Sequence, residues 1–159
     1  MTHLKEGHAA PDFSIARDDG TTLAKADLAG RRAVLFFYPE DDSGGCVDEN
    51  QEFSALAGEF AARDTVLVGI SPDTIDSHVK FRGKYGLATP LGADPERTTI
   101  EAFGLWQLKK LYGREFMGLV RTSFIIDRSG RIARIIRATR IKGHAAKVLA
   151  ALDALPPDQ

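Results

Sequence analysis

RRAVLFFYPEDDSGGCVDENQEF, residues 31–53, changes character at its middle. Ala33 to Tyr38 is an unbroken apolar run, which reads as a strand buried on both faces. Pro39 stops it, because proline cannot donate to a sheet ladder. Beyond Ser43 the apolar period lengthens. Cys46, Phe53 and Phe60 are seven apart, and Leu56 and Ala57 fall on the same side, as one face of a helix requires. Such a strand-to-helix junction exposes side chains at the end of a sheet. It carries Cys46, the only cysteine of 159 residues.

Working outward, PDFSIARDDGTT reads as a short strand, Phe13 to Ala16, turning at Asp19-Gly20. TVLVGIS is a second buried strand, and TIDSHVKFRGKYG an amphipathic helix ending near Gly86. The pattern TPLGADPERTTIEAFG predicts a short strand at Leu91, then a helix capped by Asp94 with Pro95 at its first position. LWQLKKLYGREFMG reads as loop or irregular helix. RTSFIIDRSGRIARIIR reads as a β-hairpin through a Ser-Gly turn, and GHAAKVLAALDALPPDQ as a closing helix. Alternating strands and helices followed by a hairpin and a helix predict an α/β fold, a central mixed sheet flanked by helices. The length suits one domain spanning 1–159.

At 43% apolar residues the composition is that of a globular protein, and no apolar run is long enough to cross a bilayer. The N-terminal residues lack the pattern of a secretory signal, so the expected location is cytoplasmic. Net charge is −1 but uneven: residues 1–79 carry 6 Lys/Arg against 15 Asp/Glu, and residues 80–159 carry 15 against 7. The expectation is that the halves fold together and offset one another. Arg131, Arg134, Arg137 and Arg140 recur every third residue, which on a strand does not make one stripe, so no nucleic-acid partner is expected. Nor is a membrane partner, a cofactor or a metal: His3, His8, His78 and His144 give no metal-ligand spacing and read as solvated or locally bonded.

The chemistry therefore centres on one thiol. An ordinary thiol of pKa ~8.5 is only about 3% thiolate at pH 7, and the thiolate is the nucleophile. With Ser43 as N-cap, its hydroxyl is expected to accept from the Cys46 N–H, placing the sulfur at the positive end of a helix. Glu40, Asp41, Asp42, Asp48 and Glu49 would oppose a thiolate if they faced it, so a reactive Cys46 needs a cation from elsewhere in the chain. Equally, the helical period puts Cys46 on the core side with Phe53 and Phe60, where a cysteine packs as a small hydrophobe.

FFYPEDDSGGCVDENQEF resembles the peroxidatic loop of the peroxiredoxins, in which Pro is followed after three residues by Thr or Ser, and after two more by Cys. Pro39, Ser43 and Cys46 match that pattern, and LVRTSFIID resembles the strand bearing the family's arginine, here Arg121. GHAAPDFSI, VLVGISPD, KGHAAKVLAAL and FGLWQLKKLYGREFMGLVR extend the likeness from about Gly7 to Leu155, specifically to the peroxiredoxin Q or bacterioferritin comigratory protein group. The resemblance implies a thioredoxin-like fold and thiol-dependent reduction of hydrogen peroxide and organic hydroperoxides. It makes Arg121 the missing cation, holding Cys46 as thiolate. Ser43, Arg121 and the N–H groups of Gly45 and Cys46 become donors to the peroxide, Pro39 a shield against water, and Glu49 an orienter of Arg121.

Many members of that group carry a resolving cysteine five residues after the first; here that position is Gln51. The sulfenic acid on Cys46 must then meet an external thiol, such as glutathione, glutaredoxin or thioredoxin, or Cys46 of a second copy in a homodimer. Two other readings compete. A glutaredoxin-like thiol transferase places its cysteine first in Cys-x-x-Cys, whereas SGGC puts it last. A non-enzymatic peroxide sensor or holdase needs only an oxidisable Cys46.

Overall fold

The computed structural model describes residues 2–159. Its sheet strands are β1 (Ser14–Arg17), β2 (Thr22–Ala24), β3 (Arg32–Phe37), β4 (Thr65–Ser71) and β5 (Leu91–Ala93). A hairpin of β6 (Trp106–Leu111) and β7 (Arg114–Leu119) precedes β8 (Thr122–Ile126) and β9 (Ile132–Arg137). The helices are α1 (Gly44–Ala55), α2 (Ala57–Ala62), α3 (Ile75–Tyr85), α4 (Thr98–Ala102) and α5 (His144–Asp153). Seven strands form one sheet in the order β2-β1-β5-β4-β3-β8-β9, while β6 and β7 pair only with each other. β3 runs parallel to β4 and β4 to β5; the other pairings are antiparallel. This is the mixed sheet flanked by helices that the sequence predicts.

Central strand β3 explains the layering. Its side chains alternate, so Ala33, Leu35 and Phe37 enter one core with Ile100, Phe103 and Phe124. Val34, Phe36 and Tyr38 enter the other, with Cys46 and Phe53 of α1, Phe60 of α2, Phe81 of α3 and Val148 of α5. Phe36 stacks on Phe53 with ring centroids 4.0 Å apart and planes 9° from parallel. Burying each such ring stabilises the fold by roughly 1.5–3 kcal/mol. A Cβ on Gly69 would lie 2.5 Å from the Phe36 ring, so this stacking needs glycine on the neighbouring strand. The helix bearing Cys46 is thus clamped onto the strand that precedes it.

Three expectations require correction. First, the segment read as loop or irregular helix is the β6–β7 hairpin. Tyr112 (φ 51°) and Gly113 (φ 75°) make its turn, both with the positive φ of a type I′ hairpin. Leu108, Leu111, Phe116 and Met117 are exposed, so no one-sided burial imposed an alternating pattern. Second, the helix expected to begin at Pro95 begins at Thr98; Asp94 still serves it, its Oδ2 accepting from the Ile100 N–H at 2.7 Å. Third, the long helix after Cys46 is two. It breaks at Leu56, whose N–H reaches both the Glu52 and Phe53 carbonyls.

The halves do offset part of their charge, through Arg82–Asp18, Lys84–Asp42 and Arg121–Glu49. No helix among the described residues is long and apolar enough to cross a membrane.

Candidate active site

Residues 39–43 carry the chain from the end of β3 into α1. Buried Asp41 anchors this turn: its Oδ1 accepts from Tyr38 Oη at 2.7 Å and its Oδ2 from Ser77 Oγ at 2.7 Å. Its backbone N–H donates to Asp73 Oδ2 at 2.8 Å. Asp42 turns outward to Lys84 Nζ and Tyr85 Oη. Neither carboxylate is directed at Cys46, which removes two of the repulsions that composition suggests. Half-buried Pro39 and Ser43 lie on this turn.

Ser43 has N-cap backbone geometry (φ −89°, ψ 151°), and its carbonyl accepts the first helical bond, from Val47. The expected side-chain cap is absent. Ser43 Oγ donates instead to the Glu40 carbonyl at 3.0 Å, bracing the turn. The Ser43 side chain therefore does not cap α1, and the first-turn N–H groups of Gly44, Gly45 and Cys46 have no partner within the helix.

Cys46 is fully buried. Arg121, at the entry to β8, brings Nη1 and Nη2 each to 3.4 Å from Cys46 Sγ. Its Nη1 also donates to Glu49 Oε1 at 2.6 Å. Glu49 lies one turn after Cys46 on the same face of α1, so one guanidinium spans sulfur and carboxylate. A Cβ on Gly45 would lie 3.5 Å from Arg121 Nη2 and 2.7 Å from Ile141 Cδ1, a close approach that glycine permits. A sulfur held against a forked cation, beside unpaired backbone donors, is an arrangement for attack by sulfur on an electrophile that gains negative charge.

The model of the AhpC/TSA family matches residues 7–135. The chain belongs to the AhpC/TSA family. Among curated relatives, peroxiredoxin Bcp of Bacillus subtilis is 40% identical over 149 residues, covering 94% of this chain and 95% of that protein. Peroxiredoxin Bcp of Xanthomonas campestris is 34% identical, covering 90% and 89%. Among solved structures, the Xanthomonas campestris bacterioferritin comigratory protein superposes with a TM-score of 0.86 at 32% identity, covering 97% of this chain and 98% of that one. Peroxidoxin BcpB from Mycobacterium tuberculosis gives 0.83 at 33%, covering 97% and 99%. The resemblance to the peroxiredoxin Q and bacterioferritin comigratory protein group is borne out, with its thioredoxin-like fold. As a peroxiredoxin the chain is an enzyme, a thiol-dependent peroxidase, which fits better than a thiol transferase or a passive sensor.

In this peroxiredoxin, of the charges beneath the sulfur, Glu49 is buried and Arg121 half-buried. Burial pushes the Glu49 carboxyl up to about 7, against the pull of Arg121. Burial works against the Arg121 charge too, but the hydrogen bond and charge of Glu49, then the Cys46 sulfur, more than offset it, holding the guanidinium above its ordinary value. Among the described residues Glu49 Oε2 has no hydrogen-bond donor, and it lies 3.9 Å from His144 Nε2. His144 is buried at the start of α5, 2.8 Å from Ser123 Oγ. Burial, with Lys147 and Arg121 nearby, depresses His144 to about 4, so the ring is neutral near pH 7.

These values give opposite pH signs. A histidine depressed from 6.5 to about 4 binds fewer protons folded than unfolded, so its share of stability is present above pH 6.5 and lost as pH falls to 4. At 1.36 kcal/mol per pKa unit, that loss is roughly 3 kcal/mol. Glu49, raised from 4.5 to about 7, costs stability as pH rises across that interval. The variant His144→Asn is expected to lose less stability than the parent between pH 7 and pH 4.5. Urea midpoints at the two pH values check this; an equal loss in both proteins contradicts it.

Sequence reading missed three partners. Asn50 Nδ2 donates to the Cys46 carbonyl at 2.9 Å, and the four-residue spacing was its only signal. His144 and Ser123 had no local signal, lying on α5 and β8. His78 and His144, expected as solvated or locally bonded, are instead buried and held by residues distant in sequence: His78 Nδ1 is 2.8 Å from Asp41 Oδ2 and its Nε2 2.9 Å from the Gly92 carbonyl, as His144 is held at Ser123. Asp41, Asp73 and His78 gather ligand atoms within 4.8 Å of one another. Those atoms already serve Tyr38, Ser71, Ser77, each other and the backbone, so the cluster reads as a lock on the turn rather than a metal centre.

Proposed function

We propose that Cys46 is the peroxidatic residue of a one-cysteine cycle reduced by an external thiol. The thiolate sulfur attacks the terminal oxygen of a hydroperoxide ROOH. An S–O bond forms, the O–O bond breaks, Cys46 becomes a sulfenic acid, and RO⁻ leaves to take a proton from water. A first thiol then converts Cys46–SOH to a mixed disulfide, releasing water. A second thiol attacks that disulfide and frees Cys46. Two thiols and one hydroperoxide thus yield one disulfide, one alcohol and one water.

The observation that carries this reading is the fork of Arg121 on Cys46 Sγ in a chain with no second cysteine. Arg121 and the first-turn N–H groups of Gly45 and Cys46 supply fixed donors where the leaving oxygen gathers charge. Glu49 holds Arg121 in place. Ser43 acts by bracing the turn, and Pro39 by covering the sulfur. The protein is expected to work in the cytoplasm. A homodimer joined through Cys46 is the weaker alternative, because the sulfur is fully buried and two copies would both have to open.

The test is turnover of hydrogen peroxide and cumene hydroperoxide with glutathione, glutaredoxin and thioredoxin systems in parallel. Consumption of many equivalents with at least one of them is the expected outcome. Consumption of one equivalent with every reductant would mark a sensor instead.

A further inference from the structure

The positive charge of residues 80–159 is only partly offset by the ion pairs described above. Four of its cations converge on one cavity of about 270 Å³, lined by Arg137, Arg140, Lys142 and Lys147 together with Thr139 and His144. None of the four has an acidic partner within ion-pair distance among the described residues. Asp48 and Glu52 line a separate hollow with Lys142 and Ile141, and Glu6 another with Arg137; Glu52 is engaged with the Gly143 N–H at 2.8 Å and Glu6 with the Ile135 N–H at 3.0 Å. A single exposed cation attracts little. Four around a concave surface focus their field on whatever anion enters.

Neither Cys46 nor Arg121 lines the cavity, but its residues connect to both. Its wall, the segment from β9 to α5, is tied to the site at two points: the Ala138 N–H donates to the Arg121 carbonyl at 3.0 Å, and Ile141 packs against Gly45. His144, which also lines it, lies 3.9 Å from the Glu49 carboxylate that holds Arg121. The volume suits a small molecule, not a folded protein. Chemistry supplies the remaining constraint: the cycle must bring in a thiol from outside, because no second cysteine exists.

We infer that this cavity docks the carboxylates of a small acidic thiol and thereby presents its sulfur to oxidised Cys46. The inference rests on the one-cysteine reading above. The docked thiol attacks Cys46–SOH, forming the S–S bond and releasing water, and a second acidic thiol completes the exchange.

Sequential mixing separates the two claims. Reduced protein is first mixed with one equivalent of hydrogen peroxide, and sulfenic acid is quantified in a separate aliquot by dimedone trapping. It is then mixed with glutathione, neutral 2-mercaptoethanol or cationic cysteamine at equal thiolate concentration, and the mixed disulfide is quantified by quenched-flow mass spectrometry. The readout is the ratio of the glutathione to the 2-mercaptoethanol rate constant within each protein, which general damage to the fold leaves unmoved. The expected result is a ratio about tenfold or more higher in the parent than in the charge reversal Arg140→Glu/Lys147→Glu, falling with added salt, and the reverse trend for cysteamine. The same ratio in both proteins would overturn the site while leaving the peroxidase reading intact. Failure to form sulfenic acid in the first mix would overturn that reading, and the inference with it.

Discussion

Cys46→Ser is expected to reduce peroxide consumption to the uncatalysed background, a loss of at least about 10³-fold. The side chain that replaces the thiol is nearly its size, but a hydroxyl is not a usable nucleophile towards an O–O bond near neutral pH. Cys46 is fully buried among Phe36, Phe53 and Val148, so the substitution also buries a polar group in an apolar cluster. Arg121 lies within reach of a hydroxyl at that position, which limits the stability cost to about 1 kcal/mol. Circular dichroism and thermal unfolding should therefore show a folded protein without turnover. Residual turnover near the parent rate in that folded variant would refute the assignment of the nucleophile.

The second large effect concerns Arg121. Removing one fixed donor from a site that stabilises developing negative charge costs about 10²–10³-fold in rate, and Arg121→Ala removes a two-pronged one. The single variant is ambiguous, because it also leaves buried Glu49 without its partner, and a carboxyl already raised to about 7 by burial then rises further and takes up a proton, changing the charge of the site as well as its donors. The informative comparison is with the double variant Arg121→Ala/Glu49→Gln, in which the orphaned carboxylate is gone. Stability should recover relative to the single variant, while the rate of Cys46 oxidation in stopped flow stays depressed. Arg121→Lys should fall between the parent and Arg121→Ala, since one ammonium cannot fork to sulfur and carboxylate as a planar guanidinium does. If the double variant oxidised at the parent rate, Arg121 would serve only to neutralise Glu49.

The site was unevenly legible. Cys46 and its place at a strand-to-helix junction could be read from local period alone, since β3 buries both faces and α1 one. The cap could not. Ser43 has the right backbone position, but its hydroxyl had a choice between the N–H groups ahead and the Glu40 carbonyl behind, and the turn anchored by Asp41 decided for Glu40. The β6–β7 hairpin was missed for a related reason. A strand pattern in sequence is a record of one-sided burial, and those two strands are largely solvated on both faces.

By itself the sequence determined an α/β chain with one thiol, at the start of a helix, and no second cysteine to resolve its oxidation. These are properties of composition and local period, and they survive any arrangement of the elements. Composition and local period left open which of 21 cations meets that thiol and which carboxylate holds the cation; the family resemblance pointed to Arg121 and Glu49, and only the tertiary structure brought the three together and left four other basic residues around one cavity. Cys46 and Arg121 are 75 residues apart. They meet because β8 pairs with β3 across the centre of the sheet, and that pairing is set by long-range packing, on which no local stretch of residues bears.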